Sequence, residues 1–329
     1  MNQFILERVA KSAVRMETIM DYLDMAARNI RLSVMNQALL FFQNPKAVQV
    51  CGKAAWEAIG GSVREDAVPI ILYVPRIQKT GDGTYEASYD AVNVYDISAV
   101  TGIGNMDDSK PDDISERILA VSGATMETIE KEVIRNPLDR GFYDEALNTI
   151  FVEKGMSREE QEAALVSIFT CIIFGRYRIS DRILETAVRH MLLKRYGLKS
   201  GIESPLFTKL DTYDAEQQRA FLMGLNTLAT ELAQLIEGRR LTFEETAYVN
   251  CLLTSESKGD VVAGYMEASC AAGDELLSEG LRSFGEKLLY ADEGCIKDLF
   301  RKRKERGLLS YPEEGLLIDE EQYIKAKGR

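Results

Sequence analysis

NIRLSVMNQALLFFQNPKAVQVCGKAAWEAIGGSVREDAVPIILYVP, residues 29–75, reads as helix, strand, helix and strand in turn, and that order decides the fold. A helix over NIRLSVMNQALLFF should end at Asn44-Pro45, because a residue before proline resists helical dihedrals. AVQV, residues 47–50, is a short strand candidate, and KAAWEAIG is a short helix stopped by Gly60-Gly61. VPIILYVP, residues 68–75, is the unbroken apolar run of a buried strand. QKTGDGTYEAS then supplies a turn at Gly81-Asp82-Gly83, and AVNVYDIS alternates as the returning strand. With a preceding helix between Phe4 and Arg28, these elements predict a small α+β domain over residues 1–101.

Outward from that domain, GIGNMDDSKPDD, residues 102–113, has the glycine, aspartate and proline content of a linker. A second α+β unit is expected over residues 114–210. It opens with a helix from Ile114 to Ala120 and continues with a hairpin in GFYDEALNTIFVEKG. SREEQEAALVSIFTCIIFGRYR starts with Ser157 as N-cap and acids in the first turn, then runs apolar on every side, which predicts a buried helix. RISDRILETAVRHMLLKRYGL is a further helix with Gly197 as its stop. Residues 211–329 read as an acidic helical extension, with helices over 214–238, 243–256, 260–270, 274–290 and 294–306. The last twenty residues are charged and expected to pack loosely.

Composition excludes several functions. Hydrophobic residues make up 46% of the 329 and charged ones 28%, which suits a packed core rather than disorder. MNQFILERVAKS reaches charged residues at once and does not read as a signal peptide, and no window holds about 18 uninterrupted apolar residues, so a cytoplasmic chain without a membrane span is expected. Cysteines 51, 171, 251, 270 and 295 form no C-x-x-C pair and read as reduced, buried thiols. The single histidine, His190, rules out an H-E-x-x-H zinc helix, which needs two imidazoles four residues apart on one face. No G-x-S-x-G elbow accompanies it, so His190 reads as an ordinary helix-surface residue. There is no phosphate-binding G-x-x-x-x-G-K-[ST] loop, and neither a catalytic residue, a metal nor a cofactor is implied. RKRKER, residues 301–306, complements a helix C-terminal dipole or touches a nucleic-acid backbone.

Charge is unevenly placed. The net charge is −12, yet residues 28–79 carry seven Lys/Arg against three acids, a local +4. Such an island is what a polyanion would feel within a Debye length of about 8–10 Å. Single-strand binders pair a cationic track with aromatic faces on which bases stack. Arg31, Lys46, Lys53, Arg64 and Arg76 can supply the charge, and Trp56 or Tyr73 the stacking surface. The amides of Asn36 and Gln37 can reach base edges or sugar-phosphate oxygens. Bland alternatives stand beside each: Trp56 as a core anchor, Asn36 as a tie to a neighbouring loop, the cations as a solvated face.

The same stretch carries a resemblance. An Asn-centred helix (Asn36), Asn44-Pro45, a short strand, Trp56 with Gly60, an apolar strand ending at Pro75, and Val94 to Ser98 follow one another as in the N-terminal domain of ArdC-type antirestriction proteins. Those proteins are carried by plasmids and integrated conjugative elements, and the resemblance implies single-stranded DNA binding by this domain. Where the family usually has a basic turn, this chain has Ser62-Val63-Arg64-Glu65-Asp66-Ala67. ArdC-type proteins commonly continue into a zinc metallopeptidase domain, and residues 114–210 resemble a degenerate, zinc-free one. The hairpin resembles the strand pair before the catalytic helix, and Phe169–Ile173, or Thr170–Phe174, stand where H-E-x-x-H would be. Glu185 stands where a third ligand is expected. The resemblance thus implies a pseudoenzyme with single-stranded DNA as partner; the alternative partner is a protein engaged through the acidic C-terminal region.

Overall fold

The computed structural model describes residues 14–30, 32–58, 60–79, 85–103, 111, 113–134 and 140–237, with backbone alone at residues 58, 74–79 and 85–90. The turn at Gly81-Asp82-Gly83, most of the linker, Cys251, Cys270 and Cys295, the four expected helices beyond residue 242 and the 301–306 basic run lie outside the described residues. In chain order the helices are α1 (Ile19–Arg28), α2 (Val34–Gln43), α3 (Lys53–Ala58), α4 (Ile114–Ser122), α5 (Arg158–Arg176), α6 (Arg182–Arg195) and α7 (Ala215–Glu237). The strands are β1 (Val50–Cys51), β2 (Ser62–Val63), β3 (Ile70–Lys79), β4 (Tyr85–Asp96), β5 (Val100–Thr101), β6 (Thr125–Ile129), β7 (Gly141–Asp144) and β8 (Thr149–Glu153). The fold class is α+β, as the alternating periodicities predict. Two compact units emerge among the described residues: 32–103, and 14–30 together with 111–237.

In the first unit a three-stranded antiparallel sheet has the order β1-β4-β3. β3 and β4 pair without interruption from Ile70↔Val94 to Lys79↔Tyr85, a longer ribbon than the sequence suggests. A second antiparallel pair, β2 with β5, joins Ser62 to Thr101. α2 begins where the Ser33 hydroxyl accepts the Asn36 N–H and ends at Asn44, ahead of Pro45. α3 ends because Gly60 adopts φ +85°, where a side chain is strained, and the Gly61 N–H returns to the Trp56 carbonyl. Of the expected AVQV strand only Val50 pairs with β4, together with Cys51 just beyond it. The Val48 and Gln49 N–H groups go instead to one oxygen of the buried Asp96 carboxylate, at 2.7 and 3.1 Å, while its other oxygen accepts from Ser98. One carboxylate oxygen thus satisfies two consecutive backbone donors that do not enter the ladder.

In the second unit β6 runs parallel to β8 and β7 antiparallel to it. β6 was not legible in the sequence, since no residue from Thr125 to Ile129 is fully buried and no apolar alternation marks it. α5 starts on a capping box: the Ser157 hydroxyl accepts the Glu160 N–H, and the Glu160 carboxylate takes the Ser157 N–H. Its buried residues include Leu165, Val166, Phe169, Ile172, Ile173 and Phe174, but Cys171 is exposed, against the expectation of a helix apolar all round. α1, expected within the 1–101 domain, belongs here. It buries Ile19, Tyr22, Leu23, Met25, Ala26 and Ala27, and packs on α6. α7 packs on α4 and α6, and Arg195 and Glu237 form an ion pair with both side chains at least 96% buried. Among the described residues no helix is long and apolar enough to cross a membrane.

Candidate functional site

The island residues separate into buried and exposed sets. Trp56 has no exposed surface, and its indole N–H donates to the Tyr95 carbonyl at 2.9 Å. α3 presses the ring against β4, so both aromatic faces are packed and neither receives a base as placed: the core-anchor alternative describes this residue. Asn36 and Gln37 are also buried. Lys46, after α2, Lys53, at the start of α3, and Arg64, after β2, are exposed, and Arg64 lies 3.4 Å from the Asp66 carboxylate. Tyr73 is half-buried on β3. Arg76 sits on β3 opposite Ser88, and Arg31 lies outside the described residues.

Asn36 serves the backbone rather than a ligand. Its Nδ2 donates to the Tyr73 carbonyl at 2.8 Å and its Oδ1 accepts the Tyr73 N–H at 2.9 Å. Seven residues on, Gln43 does the same for Ile71: Nε2 donates to the carbonyl and Oε1 accepts the N–H, each at 2.9 Å. β3 is the outer strand of its sheet, so the N–H and C=O groups of Ile71 and Tyr73 point away from β4. Two amide side chains of α2 thus stand in for a missing neighbouring strand. The Asn36 alternative of a tie within the domain is the geometry found; the part of Gln43 is not legible in the sequence, where an exposed glutamine at a helix end carries no signal.

In the second unit, α5 and α6 bring the Cys171 thiol to the Glu185 carboxylate, Sγ donating to Oε1 at 3.0 Å. Both expected registers for a vanished H-E-x-x-H place their ligand positions at Phe169 and Ile173, or Thr170 and Phe174, and all four are buried. The α5 residue that meets Glu185 is Cys171, whose helical neighbour one turn back is the half-buried Ser167. Among the described residues no group of three or more His, Cys, Asp or Glu is placed to hold a metal ion. His190 departs from its reading as a surface residue. It is buried, and its Nε2 lies 2.7 Å from Asp24 Oδ1, while Lys194 donates to Oδ2 at 3.0 Å. Burial opposes the Asp24 charge, but the hydrogen bonds from His190 and Lys194 outweigh it and hold the carboxyl below its ordinary range. This cluster joins α1 to α6.

No protein-family model matches the chain, and no curated protein matches it. Among the solved structures similar to it are two of the antirestriction ArdC protein from the R388 plasmid. The metal-free form is 14% identical with a TM-score of 0.42, over 73% of this chain and 99% of that one. The Mn(II)-bound form is 13% identical with a TM-score of 0.44, over 70% and 96% respectively.

Proposed function

We propose that this chain is a non-catalytic, cytoplasmic, single-stranded-DNA-binding accessory protein, antirestriction-like, of a plasmid or conjugative element. The observation that carries the reading is the run of ArdC-like sequence elements from Asn36 to Ser98, on a unit whose Lys46, Lys53 and Arg64 are exposed. Binding is non-covalent: cations neutralise phosphates and release counterions, so affinity is largely indifferent to sequence and falls steeply with salt. Polarisation of a labelled poly-dT oligomer, titrated at two salt concentrations, tests this. The expected result is micromolar or tighter binding at low salt that weakens as salt rises and is lost in Lys53→Glu/Arg64→Glu. No binding at low salt would remove the reading.

The second unit is proposed to be a pseudo-metallopeptidase. The support is chemical: Phe169–Ile173, or Thr170–Phe174, hold neither the two imidazoles nor the glutamate of an H-E-x-x-H helix, and the α5 residue that meets Glu185 is Cys171. Stoichiometric zinc in the purified chain would overturn that. A second reading, a protein–protein module, is favoured by the sealed indole and the Asn36 amide already spent on Tyr73, together with the net −10 of residues 111–329. Capture of a restriction, repair or conjugation protein, with no DNA binding, would favour it.

A further inference from the structure

The β3–β4 ribbon sorts its residues by alternation. Ile70, Leu72 and Val94 are buried, whereas Ile71 is 45% exposed, Ala91 and Asn93 are exposed, and Tyr73 and Tyr95 are half-buried. The unbroken register pairs odd positions with odd across the two strands, so positions 71–79 and 85–95 of odd number share one face. Tyrosines 73, 85, 89 and 95 all fall in that class, and so does Asn93. The ribbon's acids, Glu86, Asp90 and Asp96, all fall in the other class. Lys79 is the one charged residue of the odd class.

We propose that this odd-numbered face, rather than the indole, is where the bases of a single-stranded polynucleotide stack; the proposal rests on the single-stranded DNA reading above. In a chain of net charge −12, a strip free of carboxylates with one cation is the ribbon surface a polyanion can approach. Aromatic side chains on a sheet face offer stacking platforms that accept any base, and an exposed amide such as that of Asn93 meets base edges. Tyr73 pairs with Ala91, and Tyr89 stands two positions away along β4 in the same class. The α2 amides add to this by holding Ile71 and Tyr73 in register from the outer edge.

The test uses the full chain and the same poly-dT oligomer. Tyr85→Ala/Tyr89→Ala should weaken binding about ten- to a hundred-fold, and Tyr85→Phe/Tyr89→Phe should retain it, since the ring is what stacks. Ala91→Glu, an exposed position, should weaken binding to a similar degree without disturbing the melting transition and stands in if the double alanine variant fails to fold. Ser88→Ala, on the other face, should change nothing. Emission from the sole tryptophan should be unaltered by saturating DNA. If the wild type binds and both the alanine pair and Ala91→Glu bind within two-fold of it, or if Trp56 emission is quenched, the bases lie elsewhere while the DNA reading stands. If the wild type fails to bind at low salt, that reading falls and this one with it. Self-association lost in Ala91→Glu, without DNA binding, would assign the face to a second copy of the chain and overturn the proposal.

Discussion

Asn36 and Gln43 make the same pair of hydrogen bonds to β3 but at different burial, and burial sets what each is worth. Water can replace the exposed Gln43 amide, so Gln43→Ala should cost under about 1 kcal/mol. Asn36→Leu strands the Tyr73 N–H and C=O beneath a fully buried side chain, and should cost about 1–3 kcal/mol for each group left unmatched. Urea denaturation of the two variants measures this; equal costs would mean the clasp at Tyr73 is no more sheltered than that at Ile71. Both amides are polar residues on a helix, and a sequence carries no mark of whether such a group faces a ligand, water or a strand edge. Trp56 illustrates the same limit from the apolar side: a lone indole among cations is compatible with a stacking platform, and only its contact with β4 and the Tyr95 carbonyl decides otherwise.

Elements are joined here by charged groups whose setting differs. At the start of α5 the Glu160 carboxylate accepts from the Ser157 backbone and hydroxyl and from Arg140, and is held down to about 2. A depressed carboxyl stabilises the fold above its unfolded value and loses that contribution as pH falls through the folded one. The melting-temperature gap between wild type and Glu160→Gln should therefore be widest near neutral pH and close as pH drops from about 4.5 towards 2. A gap independent of pH would show that the charge contributes nothing. The Arg195–Glu237 pair between α6 and α7 is almost fully buried, so Glu237→Ala should cost about 3–5 kcal/mol by leaving a guanidinium without its carboxylate. Arg195→Met/Glu237→Leu should recover most of that in the same denaturation assay, because an apolar pair has no charge to desolvate. A double variant as weak as the single one would indicate a loss of shape rather than of charge pairing. Helix ends of this kind are legible from Ser157 and its acids, while an ion pair 42 residues apart in sequence is not.

At the scale of the whole molecule, the assignment of α1 separates local from tertiary information. Its helical spacing is plain from Ile19 to Leu23, but the unit it completes is formed more than 100 residues later, through Asp24 with His190 and Lys194, and through Thr230 with the Ile30 carbonyl. Leu23→Ala should accordingly cost about 2–5 kcal/mol in the second unit. Hydrogen exchange should report lost protection in residues 111–237 and leave residues 32–103 as they were. The opposite pattern would return α1 to the N-terminal domain. β6 makes a related point, since a parallel edge strand with no buried residue joins its sheet through backbone pairing to β8, and backbone groups are common to every sequence.

Periodicity and terminators belong to the chain itself, because dihedral preference and apolar spacing act over a few residues. They determined the α+β class, the end of α2 before Pro45, the stop of α3 at Gly60, the β3–β4 pairing and the capped start of α5. Which side of each element meets which neighbour required the tertiary structure. Enclosure of Trp56 and His190, expenditure of the Asn36 and Gln43 amides on β3, approach of Cys171 to Glu185 and transfer of α1 to the second unit all depend on partners remote in sequence, whose meeting is settled by packing of the whole chain and not by local preference.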